Sequence, residues 1–147
     1  MSRILFVCTG NTCRSPMAEV FSNKIFKDEN LELLAFSRGI MAMPSKASKN
    51  AIEIAKKNGL SLEGHTASPL SKDDLEDAKI IITMTDSHKH HILAYFPEYR
   101  HKIKTLAEVA YEQNDISDPF GGSLAEYESC FSQIKLYLEK IDFGGLL

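Results

Sequence analysis

Long hydrophobic runs, charge excess and structural punctuation are all scarce in this sequence. The longest apolar stretch near its start, Ile4–Cys8, is too short for a membrane span or a signal-peptide core. Eight Gly and five Pro among 147 residues exclude collagen-like and low-complexity architectures. Lys and Arg total 17 against 20 Asp and Glu, a formal charge of −3, so bulk charge binds the chain to neither nucleic acid nor anionic lipid. Three cysteines cannot all pair within one chain, and with no mark of secretion they point to reduced thiols in a cytoplasm. No repeat and no linker-like stretch divides the sequence. A Gly-rich Walker loop and a G-x-S-x-G elbow are both missing, which removes the nucleotide-hydrolase and serine-hydrolase readings. What remains is one domain over residues 1–147 with ordinary globular balance, 44% hydrophobic and 25% charged.

Within that domain, short apolar runs alternate with helical spacing. Ile4–Val7 is β-prone and stops at Thr9, Gly10 and Asn11. From Ser15 the period changes: Met17, Val20, Phe21 and Ile25 lie on one helical face, with Pro16 in the first turn. Leu33–Phe36 reads as a second strand, and Ala47, Ala51, Ile52 and Ala55 as a helical stripe closed by Gly59. Ser71 and Asp74 form a capping box for a short helix to about Ala78. Lys79–Met84, with three consecutive isoleucines, has the composition of a strand buried on both faces. Ser87–Phe96 is helical and ends before Pro97; Ile103–Leu106 is a fourth, weaker strand. Asp115–Gly122 is loop, and Ser123 with Glu126 opens a last helix carrying Tyr127, Phe131, Ile134, Leu138 and Ile141. Four such alternations predict a three-layer α/β sandwich, a four-stranded parallel sheet with right-handed crossovers and helices on both faces. Ligands of such sheets bind at the carboxyl ends of the strands, near the topological switch point.

The segment after the first strand is Cys8-Thr9-Gly10-Asn11-Thr12-Cys13-Arg14-Ser15. A cysteine six residues before an arginine is a weak pattern alone. The following serine narrows it, and its position between a strand end and a helix start makes it specific. A short loop there can turn successive backbone N–H groups inward as an anion nest, with the helix dipole adding positive potential. The same field favours a Cys8 thiolate. Arg14 supplies a planar fork matching two phosphoryl oxygens, so in-line attack by sulfur would give a phosphocysteine. The competing reading is a small buried thiol at a strand end. Such an intermediate also needs a proton donor and then a base, and Asp118 in the Asp118-Pro119 turn is the best candidate, although an Asp-Pro pair on its own reads simply as a turn signal.

These motifs resemble the low-molecular-weight protein-tyrosine phosphatase family over essentially the whole chain. The resemblance rests on Val7–Glu19, on the serine in Phe36-Ser37-Arg38-Gly39, on the histidine in Gly64-His65-Thr66-Ala67, and on Asp118-Pro119-Phe120-Gly121-Gly122. It implies a sheet of flavodoxin-like order, no metal or organic cofactor, and phosphorylated proteins as substrates. It further implies Cys8 as nucleophile, Arg14 as the group that binds substrate and steadies the equatorial oxygens, and Asp118 as acid then base. The loop Thr9–Ser15 would cradle phosphate, with Ser15 favouring departure of the Cys8 sulfur. Asn11, Ser37 and His65 would brace the loop. Cys13 matches a family cysteine able to bond Cys8 on oxidation; a packed thiol is the other reading. Cys130 lies beside the apolar stripe of the last helix and is expected in the core.

Two positions bear on the leaving group. Thr12 stands where many tyrosine-directed members carry a bulky aliphatic, and Phe120 is followed by Gly121-Gly122 rather than a second aromatic. Both features resemble the protein-arginine phosphatase branch. A hydroxyl at the entrance suits a polar guanidinium, and Phe120 can stack on its plane. Phosphoarginine is therefore the expected substrate, with phosphotyrosine as the alternative. A non-catalytic phosphoprotein binder and a phosphocysteine carrier stand further off, and an arsenate reductase lacks its extra cysteine pair. Attraction for the phosphoryl group is expected from loop amides and Arg14, with Arg38 or Lys46 as candidates at the rim. His88, His90 and His91 raise a zinc reading, but no third ligand has the usual spacing, and a solvated histidine-rich helix is expected instead.

Overall fold

The computed structural model describes residues 1–146. Its elements run β1 (Ser2–Cys8), α1 (Arg14–Asp28), β2 (Leu33–Gly39), α2 (Lys49–Lys57), α3 (Lys72–Asp77), β3 (Ile80–Thr83), α4 (Asp86–Tyr95), a 3-10 turn (Pro97–Lys102), β4 (Ile103–Thr105), α5 (Leu106–Val109), α6 (Leu124–Glu139) and α7 (Phe143–Leu146). The four strands form one parallel sheet in the order β2-β1-β3-β4, as expected.

The pleat of β1 sorts its side chains between two cores. Ile4 and Phe6 face a cluster with Met17, Phe21, Ile54, Phe131, Ile134 and Leu138, drawn from α1, α2 and α6. Leu5 and Val7 face the other cluster, with Leu75, Ile81, Ile92 and Tyr99 on the side of α3 and α4. All four of these β1 residues are fully buried, which is why the strand reads as a continuous apolar run. On the first face Phe21 meets Phe131 edge-on at 5.8 Å, tying α1 to α6. Because β2 and β3 flank β1 on opposite sides, their following segments diverge, and the crevice at the carboxyl end of β1 receives the loop after it.

The boundaries differ from the sequence reading in informative ways. β2 runs three residues past Phe36, because Ser37, Arg38 and Gly39 pair with Phe6, Val7 and Cys8. β4 stops at Thr105, whose hydroxyl caps α5 by accepting from the Glu108 N–H in a T-x-x-E capping box that the strand reading passed over. Both expected capping boxes, Ser71 with Asp74 and Ser123 with Glu126, are formed.

Candidate active site

The loop between β1 and α1 is closed by Asn11. Its backbone takes φ 57, the left-handed region where asparagine is among the few tolerated side chains. Every polar atom of this fully buried side chain is engaged: Nδ2 donates to Ser15 Oγ at 2.9 Å and Ser37 Oγ at 2.9 Å, and Oδ1 accepts from the Ser68 N–H at 3.0 Å. The Asn11 carbonyl lies 2.8 Å from His65 Nε2. Ser37 passes its own hydrogen to Glu19 Oε1 at 2.7 Å. Asn11 therefore brings Ser37 and His65 together at the loop, and Glu19 joins them through Ser37. Burial pushes the Glu19 carboxyl up, against the Ser37 hydroxyl, His65 and Arg38. Gly39 permits the close approach of β2, since a Cβ there would lie 2.7 Å from the Thr9 carbonyl oxygen and 3.0 Å from the Asn11 Cβ.

Curled this way, the loop surrounds the Cys8 sulfur. Sγ lies 2.9 Å from Ser15 Oγ and accepts from the Asn11 N–H at 3.3 Å. Burial, the largest influence, pushes the Cys8 thiol up; the Ser15 hydroxyl, the Ser15 and Asn11 amides and Arg14 pull it down. The net direction is upward, against the expectation drawn from the loop field alone, because Cys8 is buried, only 3% exposed as a residue. The donors around it oppose that shift and lower the cost of the thiolate.

Across the mouth, Arg14 Nη1 donates to the Ile116 carbonyl at 3.0 Å, and Nη2 stands 3.7 Å from Asp118 Oδ2. Asp118 Oδ1 accepts from the Phe120 N–H at 3.0 Å, and Gly122 closes the turn by donating to the Pro119 carbonyl at 2.8 Å. Cys8, Thr9, Gly10, Thr12, Cys13, Arg14, Asp118 and Phe120 line one bowl. Asp118 keeps a half-exposed carboxylate, and Phe120 is 74% exposed at the rim.

Arg38 and Lys46 do not line this bowl. Arg38 donates to Asp74 Oδ2 at 3.1 Å and lies over the Phe36 ring. Cys13 Sγ contacts Ser48 Oγ and Tyr127 Oη, each at 3.3 Å; burial and Cys13 push the Tyr127 hydroxyl up to about 12. Cys130 is buried, and burial raises it to about 12. The expectation of a solvated histidine helix fails at one residue. His90 and His91 are exposed, but His88 is buried against the loop with Nε2 2.8 Å from Thr9 Oγ1. No group of three metal-ligating side chains occurs among the described residues. Sequence reasoning missed His88, Glu19, Ser68 and Tyr127. Only Glu19, inside the quoted motif, carried a local signal.

The architecture and loop have close counterparts. A Bacillus subtilis protein-arginine-phosphatase is 39% identical over 140 residues, covering 94% of this chain and 93% of that one. A Staphylococcus haemolyticus low molecular weight protein-tyrosine-phosphatase, PtpB, is 39% identical over 137 residues, covering 92% and 94%. Among solved structures, a cysteine-to-serine mutant of the YwlE arginine phosphatase, with its active-site serine phosphorylated, superposes with a TM-score of 0.90. Its sequence identity is 38%, over 94% of this chain and 91% of that one. The profile described as low molecular weight phosphotyrosine protein phosphatase matches residues 3–142, and the chain belongs to that family.

Proposed function

We propose that this chain, as one phosphatase domain, dephosphorylates protein side chains through a phosphocysteine, with phosphoarginine as preferred substrate. The observation that carries the reading is the Cys8 sulfur, held 2.9 Å from Ser15 Oγ inside a loop that also presents Arg14 and faces Asp118. In the first step the Cys8 thiolate attacks phosphorus in line, the bond from phosphorus to the guanidinium nitrogen breaks, and the Asp118 carboxyl protonates that nitrogen. Loop amides and the Arg14 fork hold the equatorial oxygens. In the second step Asp118, now a carboxylate, takes a proton from water. The water oxygen attacks phosphorus, the S–P bond breaks, and phosphate leaves with Cys8 restored as thiolate, steadied by Ser15.

Preference for the guanidinium is supported by the small Thr12 hydroxyl on the wall and by Phe120 free to stack at the rim. The B. subtilis relative's name agrees with it. A phosphotyrosine-directed enzyme is the second reading, because the S. haemolyticus relative named for tyrosine is equally identical at 39%. Phosphorylated proteins are the proposed partners. A cytoplasmic setting fits three unpaired, buried thiols. No described helix is long and apolar enough to cross a membrane. The test is kcat/KM of the purified protein on one peptide carrying phosphoarginine or phosphotyrosine. A higher value for phosphotyrosine overturns the preference, and turnover that survives in Cys8→Ser overturns the mechanism.

A further inference from the structure

The second helix start at the switch point brings an unassigned side chain to the loop. Thr85 caps α4 by accepting from the His88 N–H at 3.1 Å, which fixes His88 in the first helical turn. From there the imidazole turns inward, 6% exposed, and places Nε2 2.8 Å from Thr9 Oγ1. The other ring nitrogen, Nδ1, is buried with no hydrogen-bond partner among the described residues. Thr9 lines the bowl directly after the nucleophile position.

The protonation of this ring follows from its surroundings. Burial, then Arg14 and His91, push the imidazole down to about 4, while Asp118 opposes them. The positive end of α4 acts in the same direction as Arg14. At neutral pH the ring therefore carries one hydrogen. On Nδ1 it would be a buried N–H without an acceptor, the rarer and costlier defect. On Nε2 it is satisfied by Thr9 Oγ1. The Thr9 oxygen then accepts from His88, and its own hydrogen is left for an acceptor at the mouth of the bowl.

We propose that His88 is a positioning residue that donates to Thr9 and thereby sets the Thr9 hydroxyl as a hydrogen-bond donor to a phosphoryl oxygen. The inference rests on the phosphatase reading above and deepens it. A guanidinium offers only donors, so a donor hydroxyl addresses the phosphoryl group and not the leaving group. His65 Nε2 lies 2.8 Å from the Asn11 carbonyl, and His88 Nε2 lies 2.8 Å from the Thr9 hydroxyl, so each imidazole meets a different residue of the loop.

The test is the inhibition constant of inorganic phosphate against p-nitrophenyl phosphate hydrolysis, measured on the full chain with thermal melts alongside. Thr9→Val and His88→Leu are each expected to weaken phosphate about tenfold, the scale of one hydrogen bond to a charged group. The double variant is expected to be no weaker than Thr9→Val, since each substitution removes the same interaction. His88→Gln, whose amide reaches the Nε2 position, is expected to stay within about twofold of wild type. Losses that multiply in the double variant, an unaffected Thr9→Val, or a His88→Gln as weak as His88→Leu each overturn the inference. If His88→Leu does not fold, His88→Asn replaces it, because its shorter amide reaches only the Nδ1 position. Absence of wild-type turnover would instead count against the phosphatase reading itself.

Discussion

Arg14 holds the carbonyl oxygen of Ile116 at 3.0 Å, so the guanidinium that lines the bowl with Cys8 also pins the loop carrying Asp118. Ile116 is itself buried, and its N–H donates to the Met84 carbonyl at 3.1 Å at the end of β3. One side chain therefore ties the wall of the Cys8 bowl to the segment carrying Asp118. Arg14→Lys keeps the charge but loses the planar fork, so it cannot serve Ile116 and two phosphoryl oxygens together. The expected loss in kcat is on the order of 10³, with the Ser117–Gly122 segment cut faster in limited proteolysis. A lysine variant slowed only a few-fold would deny Arg14 both tasks.

Asp118 is proposed as the leaving-group acid, and that role has a graded signature. Asp118→Asn should lower kcat/KM, which reports the first step, by about 10²–10⁴ for substrates with basic leaving groups and much less for p-nitrophenyl phosphate, whose phenolate leaves unaided. The dependence of kcat/KM on leaving-group basicity across substituted aryl phosphates should steepen. A uniform loss across the series would place Asp118 in binding instead.

Ser15 opposes burial at the sulfur. Its hydroxyl, 2.9 Å from Cys8 Sγ, is the strongest of the influences that pull the thiol down. Ser15→Ala removes that pull, so the thiol moves further up, and inactivation by iodoacetamide should shift to higher pH. Turnover should fall about tenfold, because the departing sulfur loses a hydrogen bond to its charged form. An unchanged inactivation profile would mean the backbone amides alone govern ionisation.

The chemistry of the loop was legible because it is local: strand, nest, arginine and helix start lie within Ile4–Ser15, and each follows from residue type and spacing. The capping boxes at Ser71 and Ser123 were legible for the same reason. His88 was not, since its neighbours His90 and His91 are solvated, and only the packing of α4 against the loop buries it. Ser37 was legible only through the family resemblance, not from its own surroundings in the sequence. A serine ending an apolar run reads as an exposed boundary, whereas pairing of Phe6 with Ser37 carries it into the core beside Asn11. Arg38 misled in the opposite direction: its charge suggested the rim, but Asp74 and the Phe36 ring hold it elsewhere.

Thr12 tests what separates the two candidate leaving groups. Its side chain lines the bowl, while its backbone carbonyl accepts from the Ser48 N–H at 2.9 Å, so a larger residue changes the wall without freeing the loop. Thr12→Ile should move the ratio of phosphoarginine to phosphotyrosine kcat/KM toward phosphotyrosine by about 10–200-fold. A ratio that stays put would remove Thr12 as the selector and shift attention to Phe120.

His88 also makes stability depend on pH, with a sign that can be worked out. The unfolded imidazole takes a proton near 6.5, whereas the buried ring resists until about 4, with Thr9, Arg14, His91 and Asp118 as its surroundings. As pH falls through that window the unfolded state binds the proton and the folded state does not, so stability is lost on acidification. His88 alone should remove about 2 kcal/mol between pH 7 and pH 5. Urea unfolding of wild type and His88→Gln at both pH values isolates this contribution, because the other titrating groups are common to the two proteins. The glutamine variant should show the smaller difference. Equal differences would mean that the folded imidazole protonates as readily as the unfolded one, and that the ring is not the neutral donor to Thr9 that its burial implies.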